Sequence, residues 1–310
     1  MNKKISVVVS AYFEELVIET CYQRLTDALE RFDYELVFVD DGSKDHTLDI
    51  LRALAVKDTR VKVLSFSRNF GHQAAVTAGL RVASGDAVVI IDADLQDPPE
   101  IIPDMIALWE KGNEVVYAKR KRRKGESLFK RLSATVFYRL LRVFSDTHIP
   151  EDTGDFRLMD RKVVEAFNAM GEHNRFIRGM VAWLGFKQVP LEYVREKRHA
   201  GKTKYTLKKM MSLSYNAIFS FSVTPIKFIK TLGLITLAFA FGVIVYVLVS
   251  KSTGNAIPGW SSVMIVTTVL MGVQLFSMGI LGEYIARTYE EARKRPIYLI
   301  DEKINFEENE

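Results

Sequence analysis

Two pairs of aspartates stand where short apolar runs of the chain end. The pairs are Asp40 with Asp41, after residues 35–39, and Asp92 with Asp94, after residues 87–91. Side chains two positions apart on an extended backbone point the same way, so Asp92, Asp94 and Gln96 can share one side. Such oxygen ligands suit Mg²⁺ or Mn²⁺, which bind together with phosphates. The run Q-D-P-P at residues 96–99 favours such a site over a simple turn or capping pair.

The elements that must position these carboxylates are strands separated by helices. Apolar, β-branched runs predict five strands, at residues 5–9, 35–39, 61–66, 87–91 and 114–118. Helical spacing of apolar residues predicts helices at residues 14–32, 45–55 and 71–83. This alternation predicts an α/β fold with a mostly parallel sheet and helices on both faces. Ligands of such sheets bind beyond the carboxyl ends of the strands, where all four aspartates fall.

Positive charge is concentrated in two segments, although the formal net charge is only +5. Residues 119–124 read K-R-K-R-R-K, and a second basic cluster spans residues 195–209. Basic runs bind nucleic acid, anionic lipid or phosphate ligands, or form a solvated surface loop. No aromatic platform or recognition motif accompanies the first run, so no nucleic-acid partner is expected. The single cysteine, Cys21, excludes an intramolecular disulfide and disfavours a Cys-based zinc site.

Two uncharged stretches near the carboxyl end have the length of membrane-spanning helices. Residues 231–250 and 261–282 contain no Asp, Glu, Lys or Arg, and about 20 apolar residues cross a bilayer. Basic residues flank the pair, whereas the loop between them holds only Lys251. The positive-inside rule therefore predicts two spans in the plasma membrane, with both termini and the α/β part in the cytoplasm. The first residues do not resemble a signal peptide.

Two further segments, residues 129–144 and 206–223, have amphipathic patterns. Amphipathic helices lie in the membrane interface or pack on a sheet, and the first segment fits both descriptions equally. The second leads directly into the first span, which favours the interface. The predicted division is an α/β domain at residues 1–205, interface helices at 206–230, a transmembrane hairpin at 231–283 and a cytoplasmic tail at 284–310.

Three motifs resemble those of the family-2 glycosyltransferases of GT-A fold. They read D-D-G-S at residues 40–43, S-R-N-F-G-H-Q at 67–73 and D-A-D-L-Q-D-P-P at 92–99. Within that family the chain is similar to the polyprenyl-phosphate glycosyltransferases, which include dolichol-phosphate mannose synthases and bactoprenol glucosyltransferases. The two C-terminal spans match the bactoprenol group. The resemblance extends from Ile5 to about Pro296.

The resemblance implies a nucleotide-sugar site and a metal site. The family's nucleotide-binding segment usually reads P-x-Y-N-E; here it keeps Tyr12 and Glu14, while Ser10 replaces the Pro and Phe13 the Asn. His72 and His199 are expected to make hydrogen bonds rather than bind metal. The residues implied to bind the nucleotide sugar are Tyr12, Glu14, Asp40, Asp41, Asp92, Arg198 and Lys204. The residues implied to hold Mg²⁺ or Mn²⁺ are Asp92, Asp94 and Gln96.

The motif G-D-F-R-L-M at residues 154–159 matches the segment that holds the family's proposed catalytic Asp. Asp155 is the first choice and Asp152 the second, acting with Asp92 and Asp94; a buried partner for Arg157 is the alternative role for Asp155. A phosphomonoester has a second pKa near 6, so a lipid phosphate is mostly ionised at pH 7. Asp155 is therefore expected to orient the acceptor or stabilise charge at the sugar. The residues expected at the acceptor phosphate are Arg120, Arg122, Arg123 and Arg157.

The resemblance implies an inverting, metal-dependent hexosyltransferase that acts on undecaprenyl phosphate or a similar lipid. UDP-glucose is the favoured donor, ahead of GDP-mannose and UDP-N-acetylhexosamine, and the product would serve cell-envelope glycan modification. The family also implies a homo-oligomer, most often a tetramer. A processive polysaccharide synthase is disfavoured because the chain lacks a Q-x-x-R-W motif and further spans. A non-catalytic membrane scaffold is disfavoured by the intact Asp92, Asp94, Asp155 and Arg198.

Overall fold

The computed structural model describes residues 3–121, 153–194, 224–253 and 259–306. These residues form two compact units. The first unit holds the described residues up to 194 together with those from Pro296 onward, and the second holds the described residues from 224 to 295. The amphipathic segments predicted at residues 129–144 and 206–223 lie outside the described residues.

One mixed sheet of eight strands forms the centre of the first unit, in the order β7-β5-β6-β4-β1-β2-β3-β8. Parallel pairs join β1 to β2, β1 to β4, β2 to β3 and β5 to β7. Strand β6 runs antiparallel to both its neighbours, and β8 runs antiparallel to β3. The strands are β1 (Lys4–Ala11), β2 (Asp33–Asp40), β3 (Val61–Phe66), β4 (Ala87–Asp92), β5 (Val115–Arg120), β6 (Thr153–Asp160), β7 (Gln188–Tyr193) and β8 (Ile300–Ile304).

Among the described residues of this unit, six α-helices pack with the sheet. They are α1 (Ile18–Leu29), α2 (Thr47–Lys57), α3 (His72–Val82), α4 (Ile102–Glu110), α5 (Arg161–Ala169) and α6 (Ile177–Trp183). The first begins four residues later than predicted, because Phe13 adopts a left-handed backbone with φ 55° and a turn follows it. The N–H of Val17 closes that turn on the carbonyl oxygen of Glu14 at 3.0 Å. The predicted α/β fold is confirmed, with a mixed sheet whose contiguous strands β4, β1, β2 and β3 are parallel.

The central strands are buried on both faces, as expected of parallel strands covered by helices. Val7 and Val9 belong to a core cluster that includes Leu25 of α1. On the opposite face α3 lies close to β1, because a Cβ at Gly79 would come within 2.2 Å of a Val8 methyl carbon. This close approach brings the first residues of α3 towards the carboxyl ends of β1 and β4.

The described residues of the second unit form two long helices, α7 (Thr224–Ser252) and α8 (Trp260–Arg293). Candidate membrane spans lie within them at Pro225–Tyr246 and Val269–Arg293, with mean hydropathies of 2.2 and 1.5. With 29 and 34 residues, both helices exceed the roughly 20 residues needed to cross a bilayer. Large apolar side chains along them are exposed, including Leu237 and Leu275 at 67% each. Such exposure is expected of helices in lipid rather than in a protein core.

Candidate active site

The predicted meeting of carboxylates at one sheet edge is present. Ser10 near the end of β1 pairs with Asp92 at the end of β4, and Ala11 pairs with Asp40 at the end of β2. The two aspartate motifs therefore lie on either side of one strand end. Parallel pairing alone sets this arrangement, because it aligns the carboxyl ends of neighbouring strands.

Asp40 anchors the turn that follows β2. Its fully buried carboxylate accepts hydrogen bonds from the N–H of Ser43 at 3.2 and 3.3 Å and from the Ser65 hydroxyl at 3.2 Å. Burial raises the pKa of Asp40 despite these bonds. The turn requires glycine at position 42, where φ is 69° and a Cβ would lie 2.5 Å from the Arg68 backbone. The D-D-G-S turn and the S-R-N-F-G-H-Q segment are thus packed directly together.

Asp41 organises the segment that leads into α3. Its carboxylate accepts from the Asn69 amide at 2.8 Å, from the Phe70 N–H at 2.7 Å and from the Gly71 N–H at 2.9 Å. The side chain is buried, and burial raises its pKa. Asp41 therefore fixes the loop before His72, whereas sequence reasoning gave it a role in nucleotide binding.

Tyr12, Phe13 and Glu14 run beside the D-D-G-S turn. The N–H of Phe13 donates to the Ser43 hydroxyl at 3.0 Å, and the N–H of Glu14 donates to the Thr47 hydroxyl at 2.9 Å. The rings of Tyr12 and Phe13 lie 4.3 Å apart between centroids, and Phe13 is 37% exposed. This aromatic pair next to Asp40 offers an apolar face to a planar ligand.

The second aspartate motif has a different geometry from the one predicted. Strand β4 ends at Asp92, and the residues after it form a turn with Leu95 at φ 56°, so Asp94 and Gln96 do not continue an extended backbone. The turn is held by the Ala93 N–H, which donates to the Ser10 carbonyl at 3.2 Å, and by the Gln96 N–H, which donates to Asp94 at 3.1 Å. Asp92 and Asp94 are therefore connected by a turn and not by the extended backbone that the sequence predicted.

The donor chemistry of this turn is compatible with a divalent cation. Within the described part of the chain, no group of three or more His, Cys, Asp or Glu residues forms a ready metal site. Magnesium, however, is commonly bound by one or two carboxylates together with substrate phosphates. The side chain of Asp92 is 39% exposed, while Asp94 is 9% exposed. Two carboxylates and the Gln96 amide therefore fit a cation whose remaining ligands come from a bound diphosphate.

His72 joins the two halves of the site. Its Nδ1 lies 3.0 Å from the Ser10 hydroxyl, which donates to Asp92 at 3.0 Å, and its Nε2 lies 3.1 Å from Asp155. These three bonds need three protons when both carboxylates are ionised, and Ser10 with an imidazolium ring supplies them. Partial burial lowers the pKa of His72, but Asp92 and Asp155 outweigh this effect and raise that pKa to about 9. The imidazolium form therefore completes the chain of hydrogen bonds.

Asp155 is surrounded by donors that sequence reasoning did not assign to it. Arg178 donates from Nε to Oδ1 at 2.7 Å and from its terminal nitrogen to Oδ2 at 3.3 Å, and Gln73 donates at 3.3 Å. Burial alone would raise the pKa of Asp155, but Arg178 and His72 hold it well below its usual range. A carboxylate held in this way is a poor proton acceptor.

Arg157 is not the partner of the Asp155 carboxylate, in contrast to the alternative drawn from the sequence. Its guanidinium donates to the backbone carbonyls of Asp155 at 3.3 Å and Gly154 at 3.2 Å, and the residue is 3% exposed. Burial lowers the pKa of Arg157 to about 10, against the attraction of Asp155. The true partner, Arg178, lies on α6, and no local motif marks it in the sequence.

Arg120 is the last residue of β5, which pairs with β6. Its Nε donates to the Tyr193 hydroxyl at 3.2 Å, and its terminal nitrogen is 4.0 Å from Asp97. Tyr193 in turn donates to Asp97. A Cβ at Gly154 would come within 3.0 Å of the Arg120 guanidinium, so this glycine makes room for the cation next to Asp155. The described part of the chain does not include Asp152, Arg122, Arg123, Arg198, His199 and Lys204.

Comparison with known proteins adds an independent line of evidence. Residues 6–167 match the sequence profile of the family described as Glycosyl transferase family 2. An uncharacterized glycosyltransferase, YkcC of Bacillus subtilis (strain 168), is 50% identical over 305 residues, covering 97% of this chain and 94% of its own. The bactoprenol glucosyl transferase of Shigella phage SfV is 42% identical over 300 residues, covering 96% and 98%.

A solved structure is also similar, though more distantly. Glucosyl-3-phosphoglycerate synthase from Mycobacterium tuberculosis, in complex with Mn²⁺, UDP-glucose and phosphoglyceric acid, is 23% identical with a TM-score of 0.46. The match covers 70% of this chain and 78% of that protein. At this level of similarity the evidence for the family comes from the sequence profile and the full-length relatives.

Proposed function

Because the chain belongs to glycosyl transferase family 2, we propose that it transfers a hexose from a nucleotide diphosphate to a polyprenyl phosphate. The observation that carries this proposal is full-length similarity to a bactoprenol glucosyl transferase. The two candidate spans support it, because a lipid acceptor requires an enzyme at the membrane. We favour glucose as the sugar, UDP as the nucleotide and undecaprenyl phosphate as the acceptor, with a role in cell-envelope glycan modification.

The donor would bind at the ends of β1, β2 and β4. Tyr12 and Phe13 would contact the base, with Asp40 and Glu14 near the base or ribose; the contacts of Asp41 make it a residue that positions the loop. Arg198 and Lys204 would close over the diphosphate. Asp92, Asp94 and Gln96 would hold Mg²⁺ or Mn²⁺, which supplies charge stabilisation for the leaving diphosphate.

The transfer itself needs no proton acceptor. An oxygen of the ionised lipid phosphate forms the new bond to the anomeric carbon, while the bond from that carbon to the diphosphate breaks and its electron pair leaves with the nucleoside diphosphate. One such displacement inverts the configuration. Asp155, held ionised by Arg178 and His72, would stabilise positive charge that develops at the sugar and would keep Arg178 in place.

The acceptor phosphate would approach from the side of Arg120. The side chain of Arg120 is one-third exposed, and it lies against Gly154, next to Asp155 in the chain. We propose that Arg120 attracts the lipid phosphate together with Arg122 and Arg123 of the same basic run. Arg157 is buried, and its guanidinium donates to backbone carbonyls. It would therefore attract the lipid phosphate through its charge.

The proposed enzyme is an integral membrane protein with two spans. Both termini and the sheet-bearing unit would face the cytoplasm, where sugar nucleotides are made, and interface helices at residues 206–230 would precede the spans. The proposed assembly is a homo-oligomer, most often a tetramer in the family that the sequence resembles. The domain division predicted from the sequence remains part of this proposal, except that β8, within the predicted tail, belongs to the sheet-bearing unit.

The proposal is tested by incubating the full-length protein, purified in detergent, with undecaprenyl phosphate and a panel of sugar nucleotides. Reactions contain Mg²⁺ or Mn²⁺, and mass spectrometry of the lipid fraction identifies the product. We expect a hexosyl-phosphate lipid with UDP-glucose and no product after the cation is chelated. Product formed only with GDP-mannose or UDP-N-acetylhexosamine would correct the proposed donor and leave the proposed reaction unchanged. A lipid left unglycosylated by every donor would refute the proposed function.

A further inference from the structure

Ser10 links groups on both sides of the site through one hydroxyl. Its Oγ lies 3.0 Å from Asp92 Oδ1 and 3.0 Å from His72 Nδ1. The residue is 9% exposed, so solvent competes little for these bonds.

The geometry of Asp92 explains why this hydroxyl matters. Asp92 is the last residue of β4, and its side chain is 39% exposed. Its Oδ1 accepts from Ser10 and lies 3.4 Å from His72 Nδ1. A partly solvated carboxylate at a strand end samples several rotamers unless donors fix it. Ser10 and His72 together hold one oxygen of Asp92, which leaves the orientation of the other oxygen defined.

The same hydroxyl belongs to a longer series of hydrogen bonds. His72 contacts Ser10 through Nδ1 and Asp155 through Nε2, the latter at 3.1 Å. Asp92 belongs to the proposed donor side, and Asp155 lies beside the cations of the proposed acceptor side. The series Asp92–Ser10–His72–Asp155 therefore spans the place where the two substrates would meet.

We propose that Ser10 is a positioning residue that fixes Asp92 for binding of the metal–nucleotide donor and aligns His72 between the two carboxylates. This inference rests on the proposed function, since it takes Asp92 to be a donor-binding group. Ser10 acts through Asp92 and His72 and touches neither substrate. Its loss should therefore affect binding of the metal–nucleotide more than binding of the lipid acceptor.

The test compares Ser10→Ala, Ser10→Thr and Ser6→Ala with the wild-type protein. A hydrogen bond to a charged group contributes enough that its loss should raise the KM for the sugar nucleotide about tenfold. The Mn²⁺ concentration for half-maximal activity should rise about tenfold as well, with the KM for the lipid unchanged. Ser10→Thr retains a hydroxyl and should recover most of the donor affinity.

Ser6→Ala is the matched control, because Ser6 is a buried serine near the opposite end of the same strand, β1. Its hydroxyl donates to Glu35 at 2.5 Å and accepts from the Gly85 N–H at 2.7 Å. We expect this variant to lower the melting temperature and leave both KM values unchanged. Ser10→Ala should differ from it by a raised donor KM.

A binding measurement separates this inference from the proposed function. Isothermal titration of UDP in the presence of Mn²⁺ should give about tenfold weaker binding to Ser10→Ala than to the wild type, whether or not any lipid is glycosylated. Failure of the wild type to glycosylate lipid refutes the proposed function alone. Equal UDP–Mn²⁺ affinity of the two proteins, or no UDP–Mn²⁺ binding by either, overturns the role of Ser10. A loss that Ser10→Thr does not recover would also overturn it.

Discussion

At the scale of single residues, the site is held by buried ionised groups whose charges are matched locally. Asp155 is enclosed by donors from Arg178, His72 and Gln73, so its negative charge is fixed before any substrate arrives. Preorganised charge of this kind stabilises a transition state without reorganisation during the reaction. Asp155 is therefore suited to stabilising a developing positive charge rather than to accepting a proton.

Asp155→Asn keeps the shape of the side chain and removes its charge. We expect kcat to fall about a hundredfold, the size of effect seen when a preorganised charge is lost, with unchanged affinity for UDP–Mn²⁺. Steady-state kinetics and isothermal titration measure the two quantities. Asp160→Asn is the control on the same strand, because Asp160 accepts from Trp109 at 2.7 Å and caps α5. That variant should lose stability and keep its kcat, whereas near-wild-type kcat in Asp155→Asn would contradict the account.

Glu35 provides a residue-scale prediction for stability. Burial would raise its pKa, but hydrogen bonds from Ser6, the Ser84 N–H and Lys4 outweigh this and lower that pKa from 4.5 to about 2. A lowered folded-state pKa contributes stability that is complete above the unfolded value and is lost as the pH falls towards the folded value. The shift corresponds to about 3 kcal/mol. The contribution should disappear between about pH 5 and pH 2.

Thermal unfolding of the wild type and Glu35→Gln over this pH range tests the prediction. The variant should be less stable near neutral pH, and the difference should shrink as the solution becomes acidic. Glu114→Gln serves as the control, since Glu114 pairs with Lys162 at 2.5 Å on the surface, where ion pairs contribute little. A difference between wild type and Glu35→Gln that stays constant with pH would mean that Glu35 is not held ionised.

At the scale of elements, the sheet edge and the C-terminal strand together position the site. After α8 the chain supplies β8, which pairs with β3, and the Tyr298 ring stacks on Phe66 at 5.1 Å. Phe66 also meets the Phe70 ring edge-on at 5.7 Å, inside the loop that precedes His72. The last strand therefore supports the segment that carries His72 and Gln73.

Asn305 tests this support, because it ends β8 with two hydrogen bonds. Its side-chain amide donates to the carbonyls of Ala55 and Val61 at 2.8 Å each, and its backbone has φ 61°, which Asn tolerates better than Ala. Asn305→Ala should lower the free energy of unfolding by about 2 kcal/mol. Asn305→Gly should lower it less, because glycine keeps the backbone relaxed. Equal stability of Asn305→Ala and the wild type, measured by thermal unfolding, would contradict this.

The sequence predicted the elements whose pattern is local and missed those that depend on tertiary contacts. Strands β1 to β5 are short apolar runs, and the carboxylates at their ends met as expected. Strands β6 and β8 carry Asp155, Arg157 and Glu302 among apolar residues, so charge obscures their alternation. Arg178 lies on a short helix without a motif, and only the folding of α6 against β6 brings it to Asp155. A turn at Asp94 was the disfavoured alternative, because Leu95, whose backbone is left-handed, has no turn-forming signature.

At the scale of the whole molecule, the chain combines a nucleotide-sugar fold with two apolar helices. It leaves the sheet-bearing unit, forms α7 and α8, and then returns to supply β8. Both ends of the helical unit are therefore continuous with the sheet-bearing unit. The covalent arrangement suits a reaction in which one substrate is soluble and the other is confined to lipid.

Membrane integration gives a prediction at this scale. Because α7 and α8 are long enough to span a bilayer, carbonate washing of membranes from expressing cells should leave the protein in the pellet. Detergent should release it, and immunoblotting measures both fractions. Elution by carbonate alone would indicate peripheral attachment and contradict two spans.

The carboxylates at this sheet edge are proposed to direct transfer of a sugar onto a lipid phosphate. The most direct measurement is the partition of radiolabelled glucose from UDP-glucose into the lipid phase, by the wild type and Asp94→Asn, with undecaprenyl phosphate and Mn²⁺. We expect labelled lipid with the wild type and at least about a hundredfold less with the variant. No label in lipid with the wild type, or equal labelling by both proteins, would contradict it.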